Sequence, residues 1–284
     1  MNKYWEIIRS QQHPTRFLIS RLLMKTRLCW LFRIKQDGFV LRFCFSAASA
    51  KLWIDPTGKG TDSEFDLTFL ASYVKEGDAI IDVGANIGRM TLAAARIAGA
   101  SGKVFAFEPN PRIYKYLVEN LLLNRAKNIQ VYNTAVGSVR GEVFLSDIKW
   151  DDMNGVVTDM ENHCIAVPIN RLDRLINLYR EIALLKIDVE GYEKYVVEGA
   201  GTLLDSINCI YFEAYEKHFN KYNYGWKDLF DLLNSKGFSL FSISFRKKTL
   251  SKVLRDYSAN KCENLIATRA VDAFVERTGF HVET

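Results

Sequence analysis

A buried strand that passes through a glycine-containing turn into an alanine-rich helix most limits the fold of this chain. The stretch AIIDVGANIGRMTLAAARIAGA spans residues 79–100. Its apolar first part ends at Asp82 and is typical of a buried parallel strand, and its second part is typical of a helix packed on that strand. Glycine lets the backbone approach a ligand closely, and asparagine tolerates a left-handed conformation. We therefore predict a ligand-binding turn at Gly84, Asn86 and Gly88.

Strands and helices alternate along most of the chain. Apolar periodicity predicts strands at 79–83, 103–107, 129–134, 183–187 and 209–213 and helices at 88–98, 111–124, 193–205 and 226–235. Such alternation is typical of a parallel sheet with helices on both faces. Two more strands, GFSLFSIS and NLIATR, follow close together, and their short connection predicts an antiparallel final pair.

The first 64 residues have a different pattern and predict an N-terminal extension ahead of a main domain at residues 65–284. Residues 15–36 place apolar side chains at helical spacing, with Arg16, Arg21, Lys25 and Arg27 among them. A basic amphipathic helix of this kind either packs on the core or lies on an anionic membrane surface, and both interpretations stay open. Residues 39–54 alternate in the manner of a β-hairpin.

Charge and cysteine content argue against several classes of protein. The formal net charge of +5 is modest for 284 residues, so we expect no nucleic-acid partner. The five cysteines are widely spaced and contain no CxxC pair, so we expect neither a disulfide framework nor a metal site. The chain shows no signal-peptide pattern and no apolar run near the roughly 20 residues that span a bilayer. We therefore expect a cytoplasmic protein, with peripheral membrane contact as the open alternative.

An acidic residue at the end of the second predicted strand indicates what the turn binds. Ligands of open α/β sheets lie at the carboxyl ends of the strands, and Glu108 stands there, twenty residues after Gly88. A carboxylate at this point can accept hydrogen bonds from both hydroxyls of a ribose. Nicotinamide cofactors normally require GxGxxG, whereas Asp82 precedes this turn and suits an ammonium better than a pyrophosphate. The pattern favours S-adenosylmethionine, which has a ribose and an amino-acid end.

These motifs resemble the FkbM-type class I S-adenosylmethionine-dependent methyltransferases. The resemblance covers about residues 65–215 and rests on DVGANIGRMTL, FAFEPNP, NTAVGSVRGEVFL and LLKIDVEGYEKYVVEGA. It implies an α/β, Rossmann-like class I methyltransferase fold, with a seven-stranded, mostly parallel sheet whose last strand is antiparallel. It also implies methyl transfer from S-adenosylmethionine, most often to a hydroxyl of a sugar, glycan, lipid or polyketide-like metabolite.

The resemblance assigns cofactor roles to individual positions. The residues that match its cofactor motifs are Asp82, Gly84, Asn86 and Gly88 in the turn, Glu108 as the ribose-binding acid, Asn110 after it, and Ala135 and Val136 beside the adenine. The stretch WDDMNG at 150–155 departs from the serine-rich pattern expected there, so the sequence does not identify the acceptor.

Two carboxylates after the fourth strand of the domain are the catalytic candidates. Asp188 and Glu190 match DVEG in the family, where they face the transfer site, and either one can take the proton of an acceptor hydroxyl. The same pair can instead complement the dipole of the following helix. Lys186 lies inside that strand and requires a carboxylate partner such as Asp188 or Glu190. Glu213, at the end of the next strand, and His218 are candidates for substrate contact.

Two other functions stay open beside methyl transfer. One is a nicotinamide-dependent oxidoreductase, which the missing GxGxxG disfavours. The other is a non-catalytic nucleotide-binding or membrane-surface protein of the same fold, in which the basic N-terminal helix carries the function. His163 and His218 are isolated histidines without a second ligand at metal spacing, which agrees with the absence of a predicted metal site.

Overall fold

A large, mostly parallel β-sheet organises the molecule. The computed structural model describes residues 8–9, 11, 13–36, 38–56, 62–146, 154–157, 164–177 and 180–283. His163 and residues 150–153 of the WDDMNG stretch therefore lie outside the described residues. Among the described residues no helix is long and apolar enough to cross a bilayer.

The described residues of the N-terminal extension include a small hairpin with a helix on either side of it in sequence. Its elements are α1 (Pro14–Lys25), a 3-10 turn (Leu28–Leu31), β1 (Arg33–Gln36), β2 (Phe39–Arg42) and α2 (Ala47–Ile54). β1 and β2 pair in antiparallel fashion. Leu41 and Phe43 belong to the same buried cluster as Ile80 and Leu92, so the extension packs into the core of the main domain.

Strands and helices then alternate as the sequence predicts. The elements of the first half are α3 (Asp62–Tyr73), β3 (Ala79–Val83), α4 (Arg89–Ala98), β4 (Lys103–Phe107), α5 (Pro111–Leu123), β5 (Ile129–Tyr132), β6 (Ala135–Val136), β7 (Gly141–Ser146), β8 (Val156–Val157) and β9 (Cys164–Asn170). Those of the second half are α6 (Leu172–Leu175), β10 (Ile182–Ile187), α7 (Glu193–Ala200), β11 (Ile207–Ala214), α8 (Glu216–Phe219), α9 (Trp226–Ser235), β12 (Ser239–Ser244), β13 (Thr249–Lys252), β14 (Glu263–Thr268), α10 (Val271–Thr278) and β15 (His281–Val282).

The order of the large sheet is β15-β13-β12-β14-β11-β10-β3-β4-β5. The strands from β11 to β5 are parallel, so their carboxyl ends share one edge. β14 runs antiparallel to both β11 and β12, which confirms the predicted antiparallel last strand. The α/β, Rossmann-like prediction is confirmed, and β13 and β15 extend the seven expected strands at one edge. The strand order reverses between β3 and β10, where ligands of such sheets bind.

The helix predicted within residues 15–36 is present as α1. It ends at Lys25, where the Thr26 hydroxyl donates to the Leu22 carbonyl at 2.9 Å and Arg27 takes a left-handed φ of 58°. The hairpin predicted at 39–54 is wrong, because this stretch is a strand followed by a helix. Ser46 caps that helix by accepting the amide of Ser49, and alanines favour helix over strand in the residues that follow.

A second, four-stranded sheet occupies a stretch that the sequence indicates only as irregular. Its order is β6-β9-β7-β8. Its inner side chains, Ala135, Leu145, Val167 and Ile169, form a small buried cluster. Because β6 follows β5 directly, this sheet covers one side of the strand edge at which ligands are expected.

Asn120 on α5 connects the extension to the glycine turn. It is fully buried, its Oδ1 accepts the Arg42 amide at 2.8 Å, and its Nδ2 donates to the Ile87 carbonyl at 2.8 Å. These two bonds join β2 and the turn after β3 through one side chain. A buried backbone group that loses its partner costs about 1–3 kcal/mol.

We expect Asn120→Ala to lower the free energy of unfolding by about 2–4 kcal/mol, because it leaves both backbone groups buried without a partner. Urea unfolding measures the change. Asn234→Ala, on the exposed face of α9, is the matched control and should stay within about 0.5 kcal/mol of the wild type. Equal effects of the two substitutions would contradict the role of Asn120.

Candidate functional site

Two glycines in the turn after β3 have conformations that other residues rarely adopt. Gly84 has a φ of +80°, and a Cβ there would stand 1.8 Å from the backbone oxygen of Asp188. Gly88 has a φ of +90°, and its Cβ would stand 2.6 Å from Cδ1 of Leu117. The turn therefore packs directly against the end of β10 and against α5. Close approach of this turn to a ligand stays a prediction.

Glu108 holds the same turn from the end of β4. Its Oε2 accepts the amide of Asn86 at 2.9 Å, and its Oε1 accepts the amide of Asn110 at 2.9 Å. Asn86 has the predicted left-handed φ, 49°. A carboxylate has about four acceptor sites, more than these two amides use. Asn110 has a structural role as well, because its side chain caps α5 by accepting the amide of Arg112 at 3.0 Å.

A cavity of about 290 Å³ opens at this edge of the sheet. It is lined by residues 83–87 of the turn, 107–110 after β4, 134–136 at β6 and 188–190 after β10. The sequence-predicted residues that line it are Gly84, Asn86, Glu108, Asn110, Ala135, Val136, Asp188 and Glu190. The structure thus brings together predicted residues from four separate segments. Four other predicted residues are absent from the lining of the cavity, but each lies within a few residues of a lining residue or contacts one. They are Asp82, Gly88, Glu213 and His218.

Lys186 lies at the centre of the polar groups behind the turn. Its Nζ is 3.2 Å from Asp82 Oδ1, 3.4 Å from Asp188 Oδ2, and donates to the Gly84 carbonyl at 2.9 Å. Burial by itself lowers the pKa of Lys186, but the carboxylates of Asp82 and Asp188 outweigh it and raise the net pKa. The predicted ion pair with Asp188 is confirmed. Asp82, which also accepts the Thr91 hydroxyl at 2.5 Å, already faces an ammonium, that of Lys186, and its predicted cofactor contact stays a prediction.

Glu190 and Asp188 have different surroundings. The Asp188 side chain is half exposed and paired with Lys186. Glu190 has a left-handed φ of 58°, and burial, with the charges of Glu213 and Asp188, raises its pKa to about 8 despite Lys221 nearby. At the start of α7 Glu193 also accepts the Gly191 amide, at 3.2 Å. The alternative role of Asp188 and Glu190 in complementing the dipole of this helix stays a prediction.

His218 and Glu213 join Glu190 in a half-buried cluster. Nδ1 of His218 is 3.3 Å from Glu213 Oε2 and 3.5 Å from Glu190 Oε2. Burial, with Lys221 and Lys217, lowers the pKa of His218, which favours the neutral ring. One ligand atom from each residue lies within 4.8 Å of the others, so the cluster can hold a divalent cation or share a proton. The sequence expectation of no metal site missed this cluster, because its members come from three different segments.

Three charged residues that line the cavity were not predicted. Asp66 on α3, Lys51 on α2 and Arg89 at the start of α4 all line it. Burial raises the pKa of Asp66 to about 6, while Tyr211, whose hydroxyl donates to Asp66 at 2.8 Å, lowers it. Asp66 and Lys51 lie outside every motif that the sequence shows. The one available signal was Arg89, a charged residue directly after Gly88 at the start of a buried helix.

Comparison with known proteins gives one family match and one curated relative. The model of the methyltransferase FkbM domain matches residues 82–240, more than half of the chain. The curated relative is the hexuronic acid methyltransferase AglP of Haloferax volcanii, 27% identical over 182 residues, which cover 63% of this chain and 72% of the relative.

Solved structures of two methyltransferases are similar to the chain at low sequence identity. An S-adenosylmethionine-dependent O-methyltransferase from Thermotoga maritima has a TM-score of 0.41 and 18% identity, over 73% of this chain and 64% of that one. An S-adenosylmethionine-dependent methyltransferase from Aquifex aeolicus has a TM-score of 0.42 and 13% identity, over 82% of this chain and 98% of that one. The family assignment of the chain rests on the domain model instead.

We expect Lys186→Met to lower the free energy of unfolding by about 3–5 kcal/mol, because Asp82 then remains buried as an uncompensated charge. Urea unfolding near neutral pH measures the loss. The double variant Asp82→Asn/Lys186→Met removes both charges and should regain part of it. A double variant no more stable than Lys186→Met alone would show that the charge of Asp82 is not what Lys186 compensates.

Proposed function

The chain belongs to the FkbM methyltransferase family, and from this premise we propose that it transfers a methyl group from S-adenosylmethionine to a hydroxyl of a sugar or glycan. The observation that carries the proposal is that Glu108 and Glu190 line the same cavity. Glu108 suits a ribose, and Glu190 suits a hydroxyl that must lose a proton. The nicotinamide alternative lacks both its glycine pattern and a pyrophosphate site in the turn.

The cavity has groups that fit each part of S-adenosylmethionine. Glu108 would bind the two ribose hydroxyls, and Ala135 and Val136 offer an apolar wall for the adenine. Asp66 would bind the ammonium of the amino-acid end, in place of Asp82, which faces Lys186. Gly84 and Asn86 line the cavity with these groups, so the turn would lie against the bound cofactor.

The cationic side chains beside Asp66 complete the fit at that end. Lys51 and Arg89 line the cavity with it and would bind the carboxylate of the amino-acid end. Opposite charges at one end of a cavity suit a zwitterion. Lys51 comes from α2, so the N-terminal extension contributes to the proposed cofactor site.

When bound, S-adenosylmethionine supplies a methyl group already activated on a sulfonium. The task of the protein is then to align the acceptor oxygen and to receive its proton. Glu190 lines the cavity and has a pKa of about 8, close to working pH, which suits a general base. Asp188 is paired with Lys186 and would orient the acceptor instead. Glu213 and His218 would position Glu190 and share the proton that it takes from the acceptor.

A sugar acceptor is supported by the curated relative and by the polar end of the cavity. That relative is described as a hexuronic acid methyltransferase, at 27% identity. Asp188, Glu190 and Asn154 line the cavity and provide hydrogen-bonding groups for hydroxyls. Glucuronic acid glycosides are therefore the first acceptors to test, followed by neutral sugar glycosides.

We expect Glu190→Gln to lower the turnover number at least about a hundredfold, because the amide cannot take the hydroxyl proton. Wild-type turnover should rise with pH and level off above about 8, where Glu190 is the carboxylate, and the variant should lose this rise. Radiolabelled methyl transfer measures both. Glu198→Gln, a partly exposed residue of α7 paired with Lys194, is the control and should behave as wild type.

Two outcomes of the Glu190 experiment would redirect the proposal. An unchanged pH profile in Glu190→Gln would remove this residue as the base. Activity that is lost in EDTA and restored by one divalent cation would assign Glu190, Glu213 and His218 to a cation that polarises the hydroxyl.

We expect Glu108→Ala to weaken binding of S-adenosylhomocysteine about tenfold to a hundredfold, because two hydrogen bonds to a charged group are lost. Calorimetric titration measures the affinity. Glu119→Ala, half exposed on α5 and paired with Arg42, is the matched control and should bind normally. Wild-type binding of NAD in preference to S-adenosylhomocysteine would contradict the proposed cofactor, and normal cofactor binding without transfer to any acceptor would favour the non-catalytic alternative.

A further inference from the structure

The N-terminal extension exposes an unusual concentration of large apolar side chains. In the part of the chain that the structure describes, seven of the thirteen exposed large hydrophobic residues lie between residues 18 and 32. We name these seven the N-terminal apolar surface: Leu18, Ile19, Leu22, Leu28, Trp30, Leu31 and Phe32. Leu22 is 61% exposed and Trp30 is 56% exposed. Contiguous exposed apolar groups of this kind mark an interaction site.

Helix α1 is apolar on two sides but packs with only one of them. Phe17 and Ser20 face the protein and are buried. Leu18 and Leu22, four residues apart, stand on the outward side with Ile19 beside them. Trp30 and Leu31 are exposed in the 3-10 turn that follows α1. A large part of each of these side chains is therefore left in contact with water.

Basic side chains surround the N-terminal apolar surface, and acidic ones are absent from it. Residues 14–36 contain no aspartate or glutamate. Arg16, Lys25, Arg27 and Arg33 are exposed among the apolar residues. Exposed leucine and tryptophan with interleaved lysine and arginine are the pattern of a helix that lies in the interface of an anionic membrane.

We propose that the N-terminal apolar surface binds the surface of an anionic lipid bilayer. The leucines and Trp30 enter the boundary between headgroups and acyl chains, and the four cations face lipid phosphates. A second copy docked by the same face would bring two purely basic surfaces together, which opposes self-association. Binding at this face would be peripheral, and it is independent of the proposed methyl transfer.

Helix α2 lies between the N-terminal apolar surface and the cavity. α1 packs against α2, and Ala48, Lys51 and Leu52 of α2 line the cavity. One helix therefore separates the bilayer-binding side chains from the proposed cofactor site.

Flotation of the full chain with lipid vesicles tests the proposal. The probes are vesicles of phosphatidylcholine alone and vesicles that also contain phosphatidylglycerol. We expect partition onto the anionic vesicles that weakens with added salt, and little partition onto the neutral ones. No cofactor or acceptor is added, so the result does not depend on the proposed activity.

Matched variants separate the apolar from the charged contribution. Leu18→Ser/Leu22→Ser/Trp30→Ser should lower the partition coefficient at least about tenfold, whereas Leu122→Ser/Val139→Ser, exposed elsewhere, should not change it. Each removed cation in Arg16→Gln/Arg27→Gln/Arg33→Gln should lower it about fivefold. Lys115→Gln/Lys127→Gln, exposed on and after α5, is the charge control.

Four outcomes would overturn the proposal. These are no binding to anionic vesicles, equal binding to neutral ones, equal effects of the surface variants and their controls, and self-association without lipid that the leucine variants abolish. Unchanged thermal unfolding of each variant shows that a loss of binding is not a loss of fold.

Discussion

The buried cation of Lys186 is the interaction on which the site depends. It joins β10, to which it belongs, to Asp82 on β3 and to the Gly84 carbonyl in the turn. These two strands meet at the point where the strand order reverses, so one side chain fixes the relative position of the turn and of the residues after β10. The absence of a Cβ at Gly84 permits this, because the Asp188 backbone oxygen occupies that space. Asp188 and Glu190, which follow β10, therefore have a fixed position relative to the turn.

The carboxylates around the cavity differ in function because their surroundings differ. Glu108 accepts two backbone amides, which hold it as an acceptor directed at the cavity. Asp188 shares Lys186 with Asp82 and stays half exposed. Glu190 is partly buried beside Glu213, so its pKa rises to about 8. The different roles that we propose for these carboxylates rest on such differences in burial and neighbouring charge.

The sequence predicted features that depend on local pattern and missed those that depend on distant contacts. The turn at Gly84, the acid Glu108 and the lining residues Ala135 and Val136 follow from strand ends and motifs. The cluster of Glu190, Glu213 and His218 combines residues from three segments, which no spacing reveals. Asp66 was missed for the same reason, because α3 precedes the motifs and approaches the cavity only in the folded chain.

The extension was the least predictable part. Residues 39–54 alternate in part, so the sequence predicted a hairpin there, whereas the hairpin of the structure is formed by β1 and β2. Single residues decided the outcome, namely Thr26 and Arg27 at the end of α1 and Ser46 at the start of α2. Part of its apolar pattern faces solvent rather than the core, as the exposure of Leu18 and Leu22 shows. When apolar residues lie on two sides of one helix, their spacing in the sequence does not indicate which side is buried.

The most direct test of the central claim is a crystal structure of the chain with S-adenosylhomocysteine. We predict that the two ribose hydroxyls lie within hydrogen-bond distance of Glu108, that the adenine contacts Ala135 and Val136, and that the amino group lies against Asp66. The sulfur should then point toward Glu190. A nucleoside bound away from Glu108, or a sulfur on the far side of the cavity from Glu190, would contradict the assignment of this cavity as the site of methyl transfer.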